Sequence, residues 1–331
     1  MASTTRWPAR LRRPGGRPGT LARQEARTGL TLISPTVVIV VVIVIVPVLW
    51  TIMLSFQRIR LLNLREAGIF GSYTLENFRL VLTSPGFLST LTTTLTYTVV
   101  GTALSIGVGL VAALVVRSPF RGRSLIRGAM LLPYIAPVVA VTFVWQIMLN
   151  PQFGIANQIG VNILGWHHAI PFLSEQTGQL SLFGTSVHVP TALLTVIAFD
   201  VWRYFPFTFL FILARLQAIP KELEEAAIVD GACPTQRFRH IIWPQLRTVI
   251  AVLAVLRFIW TFNKFDDVFL LTGGSAGTDV VSVRVYQLLT SQADIGQSAA
   301  QAVVLAVVLV ICLGIYLAFF NKSTDETGAG A

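Results

Sequence analysis

The chain has 331 residues, of which 54% are hydrophobic and only 12% are charged. An ordinary soluble domain carries about 25% charged residues, so the composition excludes a soluble globular protein. The mean hydropathy of +0.71 extends over the whole length, and a single signal peptide or anchor cannot account for it. The sequence therefore predicts several membrane crossings, each of which needs about 20 apolar residues.

The net charge of +10 raises the question of a nucleic-acid partner. The basic residues, however, lie beside apolar runs and do not form one patch interleaved with aromatic residues. The charge therefore predicts membrane orientation and contact with membrane lipids, and no nucleic-acid partner. The two cysteines, Cys233 and Cys312, are too few for a disulfide framework and have no metal-ligand spacing.

Long apolar runs predict six membrane-spanning helices at residues 30–56, 87–116, 125–149, 191–214, 249–271 and 299–320. Residues 37–46 are apolar at every position, which is incompatible with the alternating strands of a membrane barrel. Kinks are expected at the prolines inside these runs, which are Pro35, Pro47, Pro133, Pro137 and Pro206. Membrane helices tolerate proline in general, so a structural role and a role in gating both stay open.

The distribution of lysine and arginine predicts the orientation of the chain. Seventeen of them lie in residues 1–29, 117–127, 215–247 and the C-terminal tail, against five in the connections on the opposite side. Both termini are therefore expected in the cytoplasm. The expected organisation is a basic, disordered N-terminal arm (1–29), a six-span domain (30–320) and a cytoplasmic tail (321–331).

Three histidines lie in the long connection 150–190, on the side opposite to the termini. They are His167, His168 and His188, and Glu175 is the one carboxylate near them. Without a carboxylate or thiolate cluster they are expected to be ordinary loop histidines, and no metal site is predicted.

The most informative connection is the cytoplasmic loop 216–244, which predicts a helix, a glycine turn and a second helix. Pro220 suits a first helical position, and the positive end of the helix dipole favours Glu222, Glu224 and Glu225. Gly231 is suited to a left-handed C-terminal cap. Pro234 is expected to start the second short helix and Pro244 to stop it.

The surface of this loop suits contact with another protein. Ala226 and Ala227 leave the helix nearly bare, and Gly231 allows a sharp turn without a side chain. A docking knob for a partner is therefore one interpretation. An amphipathic hairpin that packs beneath its own bundle is the other, and these residues do not decide between them.

The spacing within the loop resembles a known motif. Glu225-Ala226-Ala227 is followed after three residues by Gly231, after nine more by Ile241 and after two more by Pro244. This pattern is similar to the EAA loop of inner-membrane permease subunits of binding-protein-dependent ABC importers. Three segments resemble the carbohydrate-uptake branch, the MalF-like, trehalose and glycerol-phosphate permeases: 47–56, 216–220 and 265–274. The resemblance covers residues 30–320.

This resemblance implies an all-α membrane protein, the six-transmembrane-helix bundle of a type I ABC importer permease with cytoplasmic coupling helices. It implies a transport subunit, not an enzyme, in the bacterial plasma membrane. The expected solute is a sugar, such as a di- or oligosaccharide, delivered by an extracytoplasmic or lipid-anchored solute-binding protein. The other implied partners of this heteromeric complex are a second permease subunit and two copies of an ABC ATPase subunit.

In that family the loop helices enter a cleft on the ATPase. The corresponding coupling contacts here would be Glu225, Ala226, Ala227, Asp230, Gly231 and Pro244. The chain has no G-x-x-x-x-G-K-[ST] segment, so ATP and Mg are expected on the partner and no cofactor in this chain. The basic arm is longer than usual, and Gly274-Ser275-Ala276-Gly277 replaces the familiar Gly-Gly-Pro. Six spans in place of eight argue against transferring the specificity of the maltose subunit.

Polar and aromatic residues inside the spans are candidates for the solute path, because charges at this depth usually face a cavity or a partner. Planar polar groups bind sugar hydroxyls and aromatic rings stack on sugar faces. The candidates are Trp202, Tyr204, Asn263, Lys264, Asp266, Asp267, Asp200 and Arg203. Structural ion pairs are the alternative, with Asp200 on Arg203 and Lys264 on Asp267.

Three functions remain open. The first is a sugar-importer permease, and the second is the same architecture for another solute, such as a sugar phosphate or a polyamine. The third is a membrane enzyme or a stand-alone channel. No H-E-x-x-H or G-x-S-x-G motif supports an intramembrane enzyme.

Overall fold

The computed structural model describes residues 20–66, 68–182 and 185–328. Contacts divide the chain into two units, and the boundary along the chain lies between Met53 and Leu54. Of the arm predicted at 1–29, residues 1–19 lie outside the described residues. The first helix already begins at Thr20, so residues 20–29 are helical where disorder was predicted.

The first unit contains nearly all of a long helix with one irregular turn. Helix α1 (Thr20–Val40) continues through a π-helical turn (Val41–Ile45) into α2 (Val46–Ser55). Pro47 is the second residue after this turn, and its ring disrupts the regular ladder of hydrogen bonds behind it. The Val46 N–H accordingly bonds to the Val41 carbonyl. Residues Thr31–Ser55, with a mean hydropathy of 3.2, are long and apolar enough to cross a membrane.

The second unit is built mainly from helices. In chain order they are α3 (Glu76–Leu82), α4 (Phe87–Val115), α5 (Arg123–Ile135), α6 (Val138–Met148), α7 (Ile155–Asn162), α8 (Thr191–Gln217), α9 (Lys221–Val229), α10 (Pro234–Arg237), α11 (Trp243–Phe262), α12 (Asp266–Thr272), α13 (Val281–Thr290) and α14 (Ile295–Gly328). Among the described residues, five helices can cross a membrane, or six if α5 and α6 form one span. The predicted all-α fold is confirmed.

The predicted span at 125–149 is broken in the middle. Helices α5 and α6 meet at an angle of 96°. Ala136, which precedes Pro137, is extended with ψ 142°, because the proline ring disfavours the helical conformation of the residue before it. The predicted kink is therefore present, and it is large enough to separate two helices.

The predicted fifth span, 249–271, had wrong ends. The helical stretch begins at Pro234, passes through a π-helical turn (Phe238–Ile242) and ends at Phe262. Pro244 does not stop a helix, because it is the second residue of α11 and follows the π-helical turn. Residues 266–272 form the separate helix α12, since the chain leaves the helical path at Asn263.

A small hairpin was not predicted. Strand β1 (Gly178–Leu182) pairs antiparallel with β2 (Thr185–Val189), and Gly178 lies opposite Val189. It precedes α8 in the connection for which no regular structure was expected. Helix α14 likewise continues to Gly328, through most of the predicted tail, and residues 329–331 lie outside the described part.

Helices α4 and α8 pack closely because small residues of α4 face α8. A Cβ atom on Gly109 would lie 2.9 Å from the backbone nitrogen of Phe209, and one on Gly101 would lie 3.1 Å from Asp200 Oδ2. Between these glycines, the Ser105 carbonyl accepts a hydrogen bond of 2.7 Å from the Thr208 hydroxyl. This series of small residues is a typical contact of membrane helices.

We expect Gly109→Val to lower the thermal stability of the detergent-purified protein by an amount equivalent to about 1–3 kcal/mol, the usual cost of overpacking. The physical reason is the contact with the Phe209 backbone, which cannot move without shifting α8. Gly107→Val is the matched control in the same helix, since a Cβ there meets nothing within 4 Å. Thermal denaturation followed by size-exclusion chromatography measures both. Equal stability of the two variants would contradict this account of the α4–α8 contact.

Candidate docking loop and solute path

The two ends of the loop 216–244 are joined to each other. Arg215 donates from Nε to the Gln245 carbonyl at 3.2 Å and from Nη2 to Gln245 Oε1 at 3.3 Å. Leu216, Ile219 and Leu246 are buried in one apolar cluster at this base. The loop therefore starts and ends on a fixed platform formed by α8 and α11.

Helix α9 is tied to the end of α4 by an ion pair. Arg117 follows α4, and its guanidinium contacts the carboxylate of Glu224. Both side chains are only about one-fifth exposed, 22% and 19%, so solvent screens this pair less than a surface pair. Pro220 lies directly before the first helical residue of α9, one position earlier than predicted.

The turn after α9 has the predicted glycine cap. Gly231 adopts φ +79°, in the left-handed region that favours glycine. The Gly231 N–H bonds to the Ile228 carbonyl at 3.0 Å, and the Ala232 N–H bonds to the Ala227 carbonyl at 2.8 Å. A Cβ on Gly231 would meet nothing within 4 Å, so the backbone conformation, not crowding, requires glycine here.

Most of the surface of α9 is exposed to solvent. None of its residues is buried, and Glu225, Ala226 and Asp230 are exposed. The apolar side chains Ile228 and Val229 are 55% and 86% exposed. An exposed apolar patch in a charged loop is typical of a binding surface. Helix α9 is therefore not buried beneath its own bundle.

A buried ion pair joins α8 to α11 in the interior. Arg257 Nη2 lies 2.7 Å from Asp200 Oδ2, and the side chains are 1% and 0% exposed. The Tyr97 hydroxyl donates to Asp200 Oδ1 at 3.3 Å, and Arg257 Nε donates to the Ser105 hydroxyl at 3.3 Å. The predicted pair of Asp200 with Arg203 is wrong, because α11 supplies a guanidinium that reaches this carboxylate directly.

Tyr204 is the centre of a second polar group. Its hydroxyl accepts a hydrogen bond of 2.7 Å from Lys264 Nζ and one of 3.3 Å from Arg203 Nε. The Arg257 guanidinium lies 4.5 Å from the centroid of its ring. Lys264 also lies 4.0 Å from an oxygen of Asp267, which is the predicted pair.

The structure divides the predicted path residues into groups. One group gathers around Tyr204 and Arg257, and its other members are Asp200, Arg203, Lys264 and Asp267. Asn263 and Asp266 are exposed at the ends of α11 and α12.

Trp202 belongs elsewhere, in an aromatic cluster with Trp145 and Phe199 at centroid distances of 5.5 and 6.2 Å. Tyr134, 6.1 Å from the ring of Tyr204, was missed because it lies inside an apolar run without a polar neighbour.

Comparison with known proteins finds similarity over most of the chain. Residues 105–326 match the family described as the binding-protein-dependent transport system inner membrane component. The inner membrane ABC transporter permease protein YcjO of Escherichia coli is 33% identical over 287 residues, 87% of this chain and 92% of that protein. The trehalose/maltose transport system permease protein MalF of Thermococcus litoralis is 32% identical over 263 residues, 80% of this chain and 83% of that protein.

A solved structure shares the fold. It is a bacterial alginate ABC transporter in complex with an alginate pentasaccharide-bound periplasmic protein, with a TM-score of 0.75 and 21% identity over 90% of this chain and 96% of that one. The class of protein is thus a multi-pass inner-membrane permease, a non-enzymatic transport subunit. The chain belongs to the family of inner membrane components of binding-protein-dependent transport systems.

We expect Asp200→Ala to destabilise the protein by about 3–5 kcal/mol, since it leaves the Arg257 charge buried without a partner. The double variant Asp200→Leu with Arg257→Met removes both charges and is expected to recover most of that loss. Asp266→Ala, at an exposed carboxylate, serves as the control and should leave stability unchanged. Thermal unfolding in detergent compares the four proteins. A double variant as unstable as Asp200→Ala would show that the pair itself is not the cause.

Proposed function

We propose that this chain is the permease subunit of an ATP-driven importer for a sugar, a di- or oligosaccharide, delivered by an extracytoplasmic binding protein. The observation that carries the proposal is the exposed knob of α9 and Gly231 on a fixed base. The named sugar transport of the Thermococcus relative and the alginate-bound periplasmic protein of the solved complex support the choice of solute.

In this proposal the knob enters a cleft on a separate ATPase. Glu225, Ala226, Ala227, Asp230 and Gly231 form the contact, and Ile228 and Val229 add apolar area. A displacement of α9 then reaches α4 through the Arg117–Glu224 pair.

The same displacement reaches α8 and α11 through the link between Arg215 and Gln245. Pro244 contributes to this connection indirectly, since it follows the π-helical turn at which the loop passes into α11.

The complete importer contains two copies of the ATPase, which hold ATP and Mg, and a second permease that closes the other side of the path. This chain needs no cofactor of its own. Both termini lie in the cytoplasm, and the periplasmic or lipid-anchored binding protein docks on the opposite side. The excess of Lys and Arg in the loop 215–247 supports this orientation.

Tyr204 and its cationic neighbours form the middle of the path, and Asn263 and Asp266 offer exposed polar groups beside it. A sugar phosphate is the second candidate solute. Arg203, Arg257 and Lys264 carry three positive charges around Tyr204, against the two carboxylates of Asp200 and Asp267. Two of these cations bond directly to the Tyr204 hydroxyl, through Lys264 Nζ and Arg203 Nε, which favours an anion over a polyamine.

We expect Ala226→Arg to abolish retention of the ATPase and solute uptake, while the chain still folds and inserts. A long charged side chain on the bare surface of α9 keeps a partner from approaching the backbone. The measurement is affinity purification from native membranes in mild detergent with mass spectrometry of the retained proteins. Ser124→Arg, at an exposed position of α5, is the control for added charge. Absence of any ATPase from the wild-type preparation would overturn the proposed function itself.

The orientation has its own test through the native exposed cysteine. In a Cys312→Ser background, Cys233 should react with a membrane-impermeant maleimide only after the spheroplasts are permeabilised. Cys233 is exposed in the docking loop, so protection in intact spheroplasts reports the side of the membrane. The control is Ser72→Cys with both native cysteines replaced, since Ser72 is exposed in the connection 57–86 and should label in intact spheroplasts. Labelling of Cys233 in intact spheroplasts would reverse the topology.

A further inference from the structure

A cavity of 380 Å³ lies at the beginning of α8, under the connection that contains the β-hairpin. Its volume falls within the range of about 300–1,000 Å³ that small-molecule sites occupy. Trp145 and Phe172 supply aromatic walls, while His168, Glu175 and Thr191 supply polar groups. Aromatic surface with a few polar groups is the lining that a sugar ring requires, because the ring has apolar faces and a rim of hydroxyls.

The wall of this cavity is fixed by internal hydrogen bonds. Asn157 is 3% exposed and holds Ile170 from both sides, accepting from its N–H at 2.7 Å and donating to its carbonyl at 3.0 Å. The Gly178 N–H donates to the Thr191 hydroxyl at 3.0 Å, and the Ala192 N–H donates to the Glu175 carbonyl at 3.1 Å. These hydrogen bonds therefore hold Ile170, Glu175 and Gly178 in place at the wall of the cavity.

Glu175 leaves its carboxylate available. The side chain is half-buried, and its carboxylate forms no ion pair or hydrogen bond with the residues that the structure describes. A Cβ on Gly178 would lie 3.2 Å from Glu175 Oε2, so glycine keeps the space beside this oxygen open. A carboxylate accepts hydrogen bonds from two neighbouring sugar hydroxyls without further rearrangement.

The position of the cavity fits solute arriving at the bundle. It lies against the first two turns of α8, up to Ala198, whereas the docking loop follows Gln217 at the end of the same helix. The helical residues between these two points span about 30 Å, the thickness of the hydrocarbon core of a bilayer. Trp145 also contacts Trp202, one helical turn further along α8, with ring centroids 5.5 Å apart. Aromatic surface thus continues from the cavity along α8.

We propose that this cavity is an outer subsite that holds one pyranose ring of the solute before it reaches the residues around Tyr204. Trp145 and Phe172 contact the faces of the ring, and the Glu175 carboxylate accepts from its hydroxyls. The proposal rests on the proposed sugar import, and it assigns to the connection 150–190 a part in choosing the solute.

The test uses the purified permease complex without its binding protein, embedded in lipid nanodiscs. Saturation-transfer NMR titrations are made with three probes, the methyl pyranosides of D-glucose, D-galactose and D-mannose. We expect at least one probe to bind, and its Kd to rise about tenfold in Glu175→Gln, which loses a charge-assisted hydrogen bond. Trp145→Leu should weaken the same probe. The matched controls are Glu76→Gln and Trp50→Leu, which change the same residue types outside both the cavity and the docking loop.

The outcomes separate the subsite from the proposed function. Binding of a probe that weakens in Glu175→Gln and not in the controls supports the subsite. Equal Kd values in wild type and Glu175→Gln, or no binding of any probe, overturn it. In either case the ATPase retained by the complex reports the importer independently, since the docking loop that would hold it contributes no residue to this cavity.

Discussion

The ion pair between Asp200 and Arg257 is the interaction on which the arrangement of the bundle depends. Both charges are buried, so neither is stable without the other, and α8 and α11 must meet at this level. The glycines of α4 make the same demand sterically, because Gly101 leaves room for the Asp200 carboxylate and Gly109 leaves room for the backbone of α8. Three helices are thereby held in one register.

Helix α8 connects the cavity to the base of the docking loop. Helix α8 begins under the cavity with Trp145 and Glu175 and ends at Arg215, which holds the start of α11 through Gln245. A partner that moves the knob of α9 acts on the same helix that lines the proposed subsite. Under the proposed function, α8 would link the ATPase contact mechanically to the solute, because packed helices move as units.

Local chemistry explains which sequence predictions were right. Gly231 takes its left-handed cap because the helix ends there and no contact opposes the turn. Pro137 breaks the third span because its ring disfavours the helical conformation of Ala136, whereas Pro133 and Pro206 stay inside helices. Pro244 was misjudged because, as the second residue of α11, it follows a π-helical turn and the helix continues past it. The spacing of Asp200 and Arg203 likewise suggested a pair, whereas the partner came from a helix 57 residues further on.

The sequence by itself determined that the chain crosses the membrane, where most of its spans lie and how the docking loop turns. These properties depend on hydrophobicity and on the conformational preferences of single residues, which are local. The tertiary structure alone decided that Asp200 pairs with Arg257, that Tyr204 and Trp202 belong to different groups, and that a cavity lies beneath the hairpin. Those features depend on which helix faces each residue, and no local spacing along the chain contains that information.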